Sequence, residues 1–127
     1  MSALHQIVLT GALALLGLSL VGPGIMSVLR PSTGTRWLVA GDIDARNHLR
    51  ALNAMMTAVG ALALWACLDL AEARAIVIAL GVIMALLVVA RLYSILVDGR
   101  PGPMTLVYLL VEAGLAGLFL LWPPPAA

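Results

Sequence analysis

Residues 82–103 read VIMALLVVARLYSILVDGRPGP. Nine apolar residues in a row lead into Arg91, and seven further on the run closes with Asp98 and a Gly/Pro-rich turn. Such a run shows no in/out alternation of a half-buried strand, and it is long enough to cross a hydrocarbon layer as a helix. A guanidinium in its middle is costly, so Arg91 needs a partner or a task.

The rest of the chain has the same character. Of 127 residues, 63% are hydrophobic and 10% charged, and the mean hydropathy is +1.11. A soluble domain of this length needs a polar shell that so few charges cannot supply. The sequence predicts an integral membrane protein.

There is no lysine, and seven arginines face six acids for a net charge of +1. That balance carries no footprint for nucleic acid. The single Cys67 excludes an intrachain disulfide and C-x-x-C chemistry. His5 and His48 lie in different segments, so neither a metal nor any other cofactor is expected.

Four stretches have the roughly 20 apolar residues that span a bilayer as a helix. They run from about residues 4 to 26, 47 to 68, 74 to 97 and 103 to 122, and together they predict an all-α, four-helix membrane bundle forming a single domain over 1–127. The first lacks a basic leader and is longer than a usual signal core, so it is read as a span. Gly22-Pro23-Gly24 is expected to weaken its end, Asp44 to cap the second helix, and Asp69 to Ala73 to form a tight hairpin. Pro103 is placed to open the fourth helix at its first position, where a missing N–H costs little. Trp122 and the prolines after it are expected to close that helix at an interface.

Arg30, Arg36, Arg46 and Arg100 lie in the two loops assigned to one side, against Arg74 on the other. Positive charge marks the cytoplasmic face, so both termini are expected in the periplasm. Trp37 and Leu38 in TRWLVAG are expected to rest in the headgroup layer. The D-x-D of GDIDAR is read as helix capping rather than a cation site.

Polar residues fall in stripes. Ser94 and Asp98 follow Arg91 at i+3 and i+7, and Thr105, Tyr108 and Glu112 repeat that spacing in the fourth span. In the second span, Asn47, Asn53 and Thr57 lie within roughly 60° of Arg50 at about 100° per residue. At ~1.5 Å per residue, Arg91 sits ~10 Å in from Asp98, and Glu112 sits ~13 Å in from Pro103. Depths in the same half of the membrane predict an Arg91–Glu112 pair with Arg50 nearby. Two readings stand side by side. One is a structural ion-pair cluster, with Asp98 and Arg100 at its edge. The other is a ligand site of Asn47, Arg50, Asn53, Arg91, Ser94, Tyr108 and Glu112 with an excess positive charge for an anionic group. Gly60, Gly81, Ala85, Ala113 and Gly117 are small enough to let helices approach closely.

RNHLRALNAMMTAVGALALWA, then ARLYSILVDGRPGP, then an acid in the last span, resembles the small four-helix membrane proteins of the DoxX-like group, in an uncharacterised branch of unknown function. The likeness covers roughly residues 45 to 120. Its most specific positions are Asn47, Arg50, Arg91, Asp98, Gly99, Arg100, Pro101 and Glu112. The resemblance implies a four-helix bundle in the bacterial inner membrane. It implies little about activity; relatives of DoxX include a subunit associated with thiosulfate:quinone oxidation, which makes a quinone-linked accessory role one expectation, although this chain lacks the cysteines for sulfur chemistry.

The leading expectation is a non-enzymatic protein. It binds a small anionic or polar-headed amphiphile, lipid or quinone-like, or acts as an accessory subunit in a homo-oligomer or larger membrane complex. The alternatives are a small transporter and an enzyme that modifies a lipid or isoprenoid. Small multidrug exporters carry their acid in the first span, which here is uncharged. For an enzyme, Tyr108, His48 and Glu112 supply acid–base groups but no recognised catalytic spacing.

Overall fold

The structure is a computed structural model and describes residues 1–30 and 43–126. Among the described residues four helices follow in order: α1 (Ala3–Leu29), α2 (Ile43–Leu68), α3 (Arg74–Asp98) and α4 (Pro103–Leu121). No strand occurs among the described residues. All four helices are long and apolar enough to cross a membrane. Their outward surfaces are those of a lipid-solvated protein: Leu15, Leu68, Leu86, Leu96, Leu110 and Leu121 are all exposed. Apolar surface of that extent is stable in hydrocarbon and not in water. The all-α, membrane-spanning class is therefore found.

Two boundaries differ from expectation. α1 continues through Pro23 to Leu29, where Gly22-Pro23-Gly24 was expected to weaken it. A proline removes one ladder hydrogen bond, and neighbouring groups in a membrane protein can absorb that loss. The α2 helix already includes Ile43, so Asp44 lies inside its first turn instead of capping it. There the carboxylate still interacts favourably with the positive end of the helix. TRWLVAG and Asp42 of GDIDAR lie outside the described residues.

The chain divides into two units, Gly11–Leu68 and Met1–Thr10 with Asp69–Ala127. In the first, α1 and α2 approach until backbone meets backbone. A methyl group on Gly17 would lie 2.9 Å from the Gly60 carbonyl oxygen, and one on Gly60 would lie 3.0 Å from that of Gly17. Only hydrogen fits at both places, which is how small residues bring membrane helices together. Leu13, Leu16, Leu49, Ala63 and Ala66 are buried in this unit.

In the second unit α3 packs along α4. Val77, Leu80, Met84, Ala116 and Phe119 are buried, and Gly81 admits Phe119 and Leu120 at close range. The turn before α3 is held by Asp69, whose Oδ1 accepts from the Ala71 and Glu72 amides at 3.0 and 3.3 Å. After α3, Gly99 adopts φ 95° and ψ −171° while its N–H bonds the Ile95 carbonyl, a backbone conformation open in practice to glycine alone. Gly102 then caps α4, with Pro103 in its first turn as expected.

Candidate functional site

The α3–α4 hairpin decides where the charges meet. With its turn at Gly99–Gly102, equal distances back along α3 and forward along α4 reach equal depth. Arg91, seven residues before the end of α3, and Glu112, nine residues into α4, sit at similar depths and are joined. Arg91 donates from Nε to Glu112 Oε2 at 2.5 Å and from Nη2 to Oε1 at 2.6 Å. This fork-to-fork geometry is the strongest form of the guanidinium–carboxylate contact. The Glu112 side chain is 13% exposed and that of Arg91 31%. Tyr108, one turn before Glu112, places its ring centroid 5.7 Å from the Arg91 guanidinium carbon, within reach of a cation–π attraction.

Below the pair, Ser94 donates to Asp98 Oδ2 at 2.8 Å, both exposed near the end of α3. Arg100 lies exposed in the turn. Between the two helices is an open cleft of about 310 Å³ lined by Leu87, Ala90, Arg91, Ser94, Ile95, Pro101 and Thr105. Its polar groups are one guanidinium and two hydroxyls, and its walls are otherwise apolar. Arg91 and Ser94 were among the expected ligand-site residues, whereas Thr105 was read only as part of the α4 stripe and the apolar walls left no mark in the polar pattern.

The polar residues of α2 belong to the other unit, where Arg50, Asn53 and Thr57 bond to backbone carbonyls. Arg50 Nε donates to the Val28 carbonyl at 3.2 Å. Asn53, which is buried, donates to the Leu49 carbonyl at 2.7 Å, and Thr57 donates to the Asn53 carbonyl at 2.8 Å. Short polar side chains in an apolar helix commonly turn back on their own backbone in this way. Asn47 and His48 are exposed. Among the described residues, no buried side-chain nitrogen or oxygen lacks a hydrogen-bond partner.

A second polar focus was not anticipated. The ring of His5 stacks on Trp122 at 4.2 Å between centroids and 2° between planes, and its Nε2 lies 2.9 Å from the Trp122 carbonyl oxygen. Arg74 Nη1 donates to the carbonyl of Pro124. The start of α1 and the start of α3 thus hold down the tail that follows α4. These partners are 117 and 50 residues apart, and no periodicity links them.

These features define a multi-pass, all-α membrane protein with a guanidinium–carboxylate pair beside a cleft. The chain belongs to a family described as a domain of unknown function, DUF4345, whose model matches residues 8–123. No curated protein and no solved structure matches it.

Proposed function

We propose that the protein binds a small anionic or polar-headed amphiphile, lipid or quinone-like, in the α3–α4 cleft and performs no chemistry on it. The observation that carries this reading is the cleft itself. Its volume of about 310 Å³ is at the lower end of small-molecule sites, enough for a head group whose tail continues into lipid. Arg91, Ser94 and Thr105 supply polar contacts, Leu87, Ala90, Ile95 and Pro101 supply apolar walls, and Tyr108 and Glu112 brace the guanidinium. A role as an accessory subunit, alone or in a homo-oligomer, follows from the same site if the bound molecule is delivered to a partner. The DoxX-like kinship and a place in the bacterial inner membrane with both termini in the periplasm belong to this reading.

Native mass spectrometry of the purified chain tests it. The wild type should retain a small molecule that Arg91→Ala and Thr105→Val release. Arg50→Ala asks separately whether α2 takes part. An empty wild-type protein under conditions that preserve bound lipid would sink the proposal.

A further inference from the structure

The charge inventory of the cleft narrows the ligand class. Arg91 is the one cation among the cleft-lining residues, and it is already joined twice to Glu112. The pair is electrically neutral. The next charged group on the same face, Asp98, is negative and takes the Ser94 hydroxyl hydrogen. The Tyr108 ring presents further electron density to the guanidinium. The negative end of α3 and the positive end of α4 both border the cleft, through Ile95 and Thr105, and they oppose one another. An entering anion would lose its hydration and find the cleft's own guanidinium already compensated by Glu112, while the neighbouring cation, Arg100, is exposed in the turn and matched in charge by Asp98 two residues before it.

Hydrogen-bond capacity remains. A guanidinium has five N–H donors, and the two contacts to Glu112 leave three of them. Thr105 adds a hydroxyl. A cleft rich in donors, poor in net charge and walled with apolar side chains suits an uncharged acceptor oxygen on an apolar body.

We propose that the α3–α4 cleft selects an electrically neutral, carbonyl-bearing amphiphile over an anionic one, with Arg91 and Thr105 donating to the carbonyl oxygen. Two membrane-soluble sources share this chemistry, the ring of a quinone and the ester of a diacylglycerol. The inference rests on amphiphile binding in the cleft as proposed above, and it adds the sign of selectivity that Glu112 imposes.

The test is a binding series on the full chain in zwitterionic nanodiscs. The probes are a decyl-substituted benzoquinone, dioctanoylglycerol, decanoate and decyl phosphate. The neutral probes should bind the wild type at least ten-fold tighter than the two anions, and the tighter of the two names the source. Thr105→Val should weaken the neutral probes several-fold. Glu112→Gln, which removes the compensating charge, should narrow or invert the preference. The wild-type series and Thr105→Val decide the matter even if that variant does not fold. Tighter binding of decanoate or decyl phosphate to the wild type overturns the selectivity but leaves amphiphile binding standing. Failure of all four probes overturns both.

Discussion

Arg91 and Glu112 lie 21 residues apart in sequence, yet their side chains meet through two parallel hydrogen bonds of 2.5 and 2.6 Å. The hairpin turn makes this possible, because it folds α4 back along α3 so that one guanidinium and one carboxylate share a depth. Within a bilayer each would otherwise carry a penalty of about 2.5–3.5 kcal/mol.

The pair should behave as a unit. Glu112→Gln and Arg91→Gln should each lower the unfolding midpoint in detergent. The double variant should recover part of the loss, with a coupling of about 1–3 kcal/mol. Strictly additive losses in chemical denaturation would show that the residues do not interact energetically.

Close packing of α1 on α2 should depend on the absence of a side chain at Gly60. Gly60→Val forces a branched group against the Gly17 carbonyl and should destabilise by about 1–3 kcal/mol. Gly114 has open space where a methyl group would sit, so Gly114→Ala should be neutral or slightly stabilising. Equal thermal stability of the two variants would contradict the close approach.

The α3–α4 turn offers a paired comparison free of steric crowding. Neither Gly99 nor Gly102 has an atom within 4 Å of an added methyl group, but only Gly99 has a positive φ. Gly99→Ala should therefore cost about 1–3 kcal/mol in backbone strain, while Gly102→Ala, at φ −66°, should cost little. Thermal unfolding of the two variants side by side separates conformation from contact.

Topology can be read by labelling. In a chain with Cys67 replaced by alanine, a cysteine at Ala126 should react with a membrane-impermeant maleimide in intact cells. Reaction only after permeabilisation would reverse the assignment drawn from the loop arginines.

Much of this was legible in the sequence, for reasons that differ by element. α3 and α4 are bounded by Arg74 and by the DGRPGP turn, where charge and glycine–proline geometry leave the chain few choices, so their limits were read to within a residue. Depth arithmetic paired Arg91 with Glu112 because a helix converts sequence number into distance. The first span was drawn short because one proline was given more breaking power than it has in a helix whose sides are packed or in lipid. Helical phase grouped Arg50, Asn53 and Thr57 on one face but gave no sign that Asn53 and Thr57 would bond to their own backbone. The His5–Trp122 stack and the Arg74–Pro124 contact use backbone carbonyls as acceptors, and an acceptor present at every residue leaves no mark in a sequence.

That stack has a consequence for how the chain can be cut and rejoined. With Nε2 of His5 2.9 Å from the Trp122 carbonyl oxygen, the first turn of α1 and the residues that follow α4 are neighbours. A short flexible linker would join the residues before α1 to those after α4, with new ends opened at the described turn between α2 and α3. If such a circular permutant inserts and keeps the Arg91–Glu112 pair, the order in which the helices leave the ribosome is not what directs them to their places. Parity follows as well: ends that touch must lie on one side of the membrane, whichever side that is.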